Sequence, residues 1–312
     1  MNIKNYIRAL FDSDWRFCRL AARGFYNWLP DDLYLKRLFK AKMGYELNLE
    51  DPQTFNEKLQ WLKLYNRKAE YTAMVDKYEV KKLVAEKIGE EHIIPTLGVW
   101  NKFDDINFDS LPNQFVLKCT HMGVIICKDK SSFDRRKAKK QINYWMKKNN
   151  YWAGREWVYK DITPRILAET YMTDESGFEL KDYKAFCFNG GCDLIDYKFM
   201  CFNGKVEYVF TCSERYSSTG LKVTFFDRNW LLQPFERHYQ KSEDNIPKPK
   251  NFESMVNLAE KLAKGVPFLR VDFYECNGNV YFGELTFYPG NGFEEFSPFE
   301  YDMKLGKLIK IK

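Results

Sequence analysis

Histidine is scarce in this chain: 312 residues contain three, His92, His121 and His238. The eight cysteines include no Cys-x-x-Cys pair, so zinc-site spacing is absent, and the thiols read as reduced and cytosolic. No run of about 18 apolar residues occurs, and the N-terminus lacks an apolar stretch followed by small residues. The expectation is a chain neither exported nor membrane-spanning. Charge of one sign is not in large excess either: 49 Lys and Arg against 43 Asp and Glu leave +6. That mild basicity suits an anionic ligand such as a nucleotide and falls short of a nucleic-acid footprint. No internal repeat or low-complexity tract stands out.

Apolar and aromatic residues are plentiful, at 45% and 17%, which excludes a disordered chain and predicts two or three lobes with shared interfaces. Over 3–29 apolar residues recur at helical spacing, from Ile3 and Ile7 to Phe25 and Trp28, with Arg8, Arg16, Arg19 and Arg23 between them and Pro30 as the stop. Such a helix either packs on its own domain or makes peripheral contact with an anionic membrane through residues 1–29. Thr54 and Glu57 form the pattern of a capping box ahead of Trp61 and Tyr65, and a second helix is expected over 75–88, ending at Gly89.

Strands are expected at 114–119 and 124–127, then a basic helix after Ser131 and Asp134, whose cations either touch an anionic polymer or form a solvated face. From 165 onward strands dominate, at 165–171, 183–188, 194–202, 206–211 and 222–227, with Asn203-Gly204 as a hairpin turn and one helix over 252–264. The fold class is therefore α+β with large antiparallel sheets. The divisions expected are a helical segment at 1–50, a helical or α+β lobe at 51–112, a small lobe at 113–172 and a large lobe at 173–312.

Chemistry concentrates in FLRVDFYECNGNVYFGELTFYPGNG. Strict alternation sets Leu269, Val271 and Phe273 on one face and Arg270, Asp272 and Tyr274 on the other. A three-residue loop at Asn277-Gly278-Asn279 would pair 276 with 280, placing Asp272 opposite Glu284 and Arg270 opposite Thr286. Two carboxylates at about 6 Å, with an effective dielectric near 20, repel by roughly 3 kcal/mol. A shared proton, Arg270 or a bound cation must compensate, unless the group is an ordinary arginine–carboxylate cluster.

Arg270-Val-Asp272, Glu284-x-Thr286 and Pro289-Gly290 resemble the metal-binding hairpin of D-alanine–D-alanine ligase and other ATP-grasp enzymes, with Thr286 where their pattern has Asn. The resemblance implies an ATP-grasp fold of two α+β lobes gripping ATP, with Asp272, Glu284 and Thr286 as magnesium ligands and Arg270 steadying the transferring phosphoryl group. It extends in order along the chain: Lys77 after Asp76 and Lys118 in FVLKC as phosphate lysines, ILAETYM as the adenine hinge with Glu169 and Met172, and Asp182 with Lys184 in KDYKAF as the polar pair that follows, Lys184 being the phosphate contact. His121 and Gly123, in the short loop Thr120-His121-Met122-Gly123, stand where a glycine-rich phosphate loop is usual, and the resemblance makes His121 a phosphate donor.

The words TFNEKLQWLKLY, REW, KDYKAFCFNG and GELTFYPGNGF resemble the TupA-like branch, named for teichuronopeptide biosynthesis and associated with surface-polysaccharide genes. Ligase chemistry follows from that resemblance: ATP and magnesium activate a carboxylate, such as a uronic acid of a glycan, and an amine opens the acyl phosphate. A nucleotide-sugar glycosyltransferase and a non-catalytic scaffold are the alternatives. Arg155-Glu156-Trp157 and Asp227-Arg228-Asn229-Trp230 suit either sugar stacking or lobe interfaces. Cys187, Cys192, Cys201 and Cys212 read as apolar fillers of strands.

Overall fold

The computed structural model describes residues 11–173, 196–213 and 220–311. Its first helix, α1 (Ser13–Ala21), starts at Asp12, whose carboxylate accepts from the Trp15 N–H at 2.8 Å. The continuous helix expected over 3–29 is broken there, because the capping residue takes extended dihedrals. Residues 1–10 lie outside the described part. Pro30 stops the first pattern and also opens the next helix, α2 (Asp31–Met43). Phe17 and Ala21 of α1 join Tyr34, Leu35, Leu38 and Phe39 of α2 in a small core. The N-terminal helix therefore packs on its own domain, while Phe11, Phe25 and Trp28 stay exposed near Arg16, Arg19 and Arg23.

The capping box forms as expected at α3 (Phe55–Tyr65): Thr54 Oγ1 accepts from the Glu57 N–H at 3.1 Å, and Glu57 Oε2 accepts from the Thr54 N–H at 2.9 Å. The single helix expected over 75–88 is instead two, α4 (Glu70–Val75) and α5 (Glu79–Ile88). Asp76 separates them, since its backbone is extended and its carboxylate takes the Tyr78 and Glu79 N–H groups at 2.8 and 3.0 Å.

The first sheet comprises β1 (Thr96–Trp100), β2 (Phe115–Cys119) and β3 (Val124–Cys127), and then, after α6 (Arg135–Met146) and α7 (Tyr151–Gly154), β4 (Ile166–Thr170). Its order is β1-β4-β2-β3, antiparallel throughout. The sequence reading has no strand at β1, which pairs with β4, so the division expected at 112 falls between strands of one sheet. Helix α6 buries Ala138 and Ile142 and turns most of its cations to solvent, the bland outcome for that basic stretch.

The second sheet takes β5 (Asp196–Phe202), β6 (Lys205–Ser213) and β7 (Lys222–Asp227), followed in the chain by β8 (Glu236–Arg237), α8 (Phe252–Ala263), β9 (Phe268–Cys276), β10 (Asn279–Thr286), β11 (Phe296–Ser297) and α9 (Glu300–Leu308). Its order is β10-β9-β5-β6-β7, and β8 pairs with β11 apart from it. The strand expected at 183–188 lies outside the described residues. Phe252, Met255, Val256, Ala259 and Leu262 recur on one side of α8 and pack on the apolar face of the sheet. Each large side chain so buried contributes about 1.5–3 kcal/mol. Asp196, Lys198, Arg270 and Asp272 occupy the other face, and all four are buried. No described helix is long and apolar enough to cross a membrane.

Candidate functional site

The β9–β10 hairpin sets the charged face. Its turn is two residues, Asn277 and Gly278 (φ 51° and 76°), and Asn279 pairs with Cys276. This corrects the three-residue loop, because Asn-Gly favours the two-residue turn with both φ positive. Near the turn the register is therefore one residue off the expected one. A bulge at Gly283-Glu284 restores it, so that Leu285 faces Val271 and Thr286 faces Arg270, as expected. A Cβ at Gly283 would be tight at that bulge, 3.1 Å from the Asp272 carbonyl oxygen and 3.0 Å from the Tyr274 ring.

Asp272 and Glu284 do approach each other, through Arg270. Arg270 donates from Nε to Asp272 Oδ1 and from Nη2 to Asp272 Oδ2, both at 2.7 Å, and from Nη2 to Glu284 Oε1 at 2.5 Å. Lys198, directly across the ladder from Asp272, donates to Oδ2 at 2.5 Å and also pairs with Asp196. Burial pushes the Asp272 carboxyl up, opposed by Arg270 and then Lys198. Arg270, one of the three compensators expected, is in place, and Lys198 is a further cation that the sequence reading missed. Thr286 Oγ1 lies 3.3 Å from Glu284 Oε1. As a magnesium site this donor set is incomplete. Asp272 is fully buried with both oxygens committed to cations, and the described residues contain no group of three His, Cys, Asp or Glu arranged to hold a metal.

Between the two sheets lies a cavity of about 540 Å³, walled by Lys77, Lys118, His121, Gly123, Glu169 and Glu284 among others. Six expected site residues from five separate segments thus meet at one space, of a size usual for small ligands. Lys77 is placed by its own N–H, which donates to the Thr120 carbonyl at 2.9 Å. Its ammonium has no ion pair among the described residues. Glu169 is a buried counter-ion, held at 2.5 Å by both Lys118 and Lys81. Burial pushes its carboxyl up, but Lys118 and Lys81 outweigh that and hold it below the usual range. Glu169 thus lines the cavity with its carboxylate paired to two of the lysines.

His121 is on the cavity wall with one ring nitrogen engaged. Its Nε2 lies 3.1 Å from the Trp145 carbonyl, which can only accept, so Nε2 carries the proton. Nδ1 is buried with no partner among the described residues, and burial pushes the ring's pKa down. Gly123 takes φ +73°, and a Cβ there would sit 2.4 Å from the Trp145 ring. Met172 packs with Ile94, Val116, Tyr171 and Tyr274 rather than on the cavity wall. Asp182 and Lys184 lie outside the described residues, as do Cys187 and Cys192.

The two tryptophan words are packing. Arg155 is 1% exposed, its guanidinium 4.2 Å from the Tyr34 ring, and it donates to the Tyr26, Asn27 and Leu29 carbonyls, pinning the N-terminal helices. Trp230 stacks on Phe226 with centroids 4.2 Å apart. Cys201 is buried and Cys212 half-buried, in β5 and β6.

The profile of the family described as TupA-like ATPgrasp matches residues 57–195 and 190–310. The chain belongs to that family. Its fold is the ATP-grasp, in the α+β form expected. Among solved structures, D-alanine–D-alanine ligase from Bacillus anthracis complexed with ATP is 16% identical over 69% of this ATP-grasp chain and 53% of its own, with a TM-score of 0.38. D-alanine–D-alanine ligase from Helicobacter pylori is 13% identical over 83% and 68%, TM-score 0.39. The ATP-grasp ligase PsnB, complexed with minimal precursor, Mg and ADP, is 10% identical over 74% and 57%, TM-score 0.36. This chain thus spans little more than half of the Bacillus anthracis ligase and of PsnB. No curated protein matches it.

Lys81 and Lys198 are the residues of this ATP-grasp site that sequence reasoning missed. Lys81 lies four residues beyond Lys77, the i, i+4 spacing of the single helix expected over 75–88, although Lys77 itself precedes α5. Lys198 had a fainter one, a lysine and an aspartate two apart in an otherwise apolar strand.

Proposed function

We propose that this ATP-grasp protein is an ATP-dependent carboxylate–amine ligase that amidates a uronic acid of a surface polysaccharide or its precursor with an amino acid or small amine. What carries the reading is the cavity between the sheets, where Lys77, Lys118 and Lys81 stand on one side and Glu284, tied to Arg270, on the other. Unpaired or partly paired lysines on rigid elements are suited to a triphosphate as point charges. In this reading Lys77 and Lys118 hold ATP, and Asp182 and Lys184 complete the nucleotide site.

The acceptor carboxylate oxygen attacks the γ-phosphorus and ADP leaves. An amine then attacks the carbonyl carbon of the acyl phosphate, inorganic phosphate leaves with the C–O electron pair, and the amine's surplus proton passes to solvent. Arg270, charged at any physiological pH, stabilises the negative charge that spreads over the phosphoryl oxygens. Magnesium, implied by the resemblance, finds Glu284 and Thr286 near the cavity and Asp272 closed off by Arg270 and Lys198, so the steps are assigned to the protein's own cations. ATP and free thiols favour a cytoplasmic enzyme.

Calorimetric titration of a non-hydrolysable ATP analogue, with and without magnesium, tests the reading. Wild type should bind it and Lys77→Ala should lose at least about tenfold in affinity, or about 1.4 kcal/mol. A chain that ignores ATP and binds nucleotide sugars would sink it.

A further inference from the structure

The charged face of the second sheet holds another guanidinium that the ligase steps do not use. Arg237, on β8, is 6% exposed and stands 4.7 Å over the Phe210 ring and 5.6 Å from Phe225. The Arg270 guanidinium stands 6.0 Å from the same Phe210 ring. Phe210 is opposite Lys198 and Phe225 in the ladders, so both arginines lie over the face that carries Asp272.

The two differ in how they are satisfied. Arg270 is held by two carboxylates. Arg237 Nε lies 3.0 Å from Glu294 Oε2 but is not aligned for a hydrogen bond, and its Nη1 is buried with no acceptor among the described residues. A buried donor left unmade costs roughly 1–3 kcal/mol, more for a charged group, and a water, an ion or a ligand can supply the acceptor. Like Arg270, Arg237 is not itself on the wall of the lysine-lined cavity, which Arg270 meets through Glu284. A guanidinium fork matches the two coplanar oxygens of a carboxylate.

We propose that Arg237 anchors the acceptor carboxylate, seating it beside Arg270, whose partner Glu284 lines the lysine-bearing cavity. This rests on the ligase reading and names that enzyme's acceptor subsite. Lys198, Arg237 and Arg270 face Asp196, Asp272, Glu284 and Glu294, and Glu294, with a side chain 24% exposed, is the carboxylate beside Arg237. It is the group an incoming carboxylate displaces.

The test is calorimetry on the full chain saturated with ATP analogue, titrated with D-glucuronate, D-galacturonate, D-glucose and inorganic phosphate. At least one uronate should bind and glucose should not. Arg237→Gln should weaken uronate binding by about tenfold or more and Arg237→Lys by less, with analogue affinity unchanged in both. Glu294→Gln should tighten uronate binding, a gain that a purely structural Arg237–Glu294 pair would not give. Melting curves check the fold, and Arg237→Lys carries the comparison if the glutamine variant unfolds. Unchanged uronate affinity in the Arg237 variants, no uronate binding to wild type that binds the analogue, or binding of phosphate alone would overturn the proposal. Failure of wild type to bind the analogue would instead remove the ligase reading, and this subsite with it.

Discussion

Asp272 shows why a buried carboxylate cannot be read from its neighbours in sequence alone. It is fully buried, bonded twice by Arg270 and once by Lys198. Neutralising it strands two cations away from water, and breaking a buried pair of this kind costs about 3–5 kcal/mol. Asp272→Asn should therefore lower unfolding free energy by that amount in urea titrations, with no nucleotide present. Glu169 gives a pH signature. Its folded carboxyl titrates below the usual value of 4.5, so the folded state binds fewer protons than the unfolded one as pH falls through that region. The stability this supplies is complete above about 4.5 and is lost as pH drops through the folded value. Urea midpoints measured from pH 6 down to pH 3 should fall, and Glu169→Gln should fall less steeply from a lower starting point.

Elements in this chain are set by short polar signals at their ends as much as by apolar periodicity. Thr54 and Glu57 close their capping box reciprocally. Losing such a cap costs roughly 0.5–2 kcal/mol, so Thr54→Ala should lower stability within that range in chemical denaturation, with the far-ultraviolet signal of the native state nearly unchanged. Asp12 and Asp76 act in the same way, each starting a helix where apolar spacing alone runs straight through. The hairpin signal Asn277-Gly278 was equally local. What the spacing could not reveal was the bulge at Gly283-Glu284, because an extra residue in one strand answers to the partner strand.

At the scale of the whole molecule, the cavity is made by the approach of two sheets that share no strand. Ile94, Val116, Tyr171 and Tyr274 form the small apolar cluster where they touch, and Lys77, Lys118 and Glu284 reach the space beside it. Lys63 ties further segments together, donating to the carbonyls of Gly154 and Asn291 at 2.8 and 2.7 Å. A nucleotide bound between the sheets engages only the folded chain. At one hundred times its dissociation constant it should add about 2.7 kcal/mol, a rise of several degrees in melting temperature that differential scanning calorimetry would detect and that Lys77→Ala should reduce.

The sequence by itself determined the α+β class, the order of the lysines along the chain, the capping box and the Asn203-Gly204 turn, since each depends on residues near one another or on the two-residue period of a strand, whereas Arg270 meets Thr286 only through the bulge. Tertiary structure alone decided that Glu169 neutralises Lys118 and Lys81, that Lys198 faces Asp272, and that His121 spends its ring proton on the Trp145 carbonyl. It also decided that Arg237 stands over the same ring as Arg270. Those are contacts between distant segments, and which charge answers which is fixed by strand register and burial, where leaving a partner unmade costs the most.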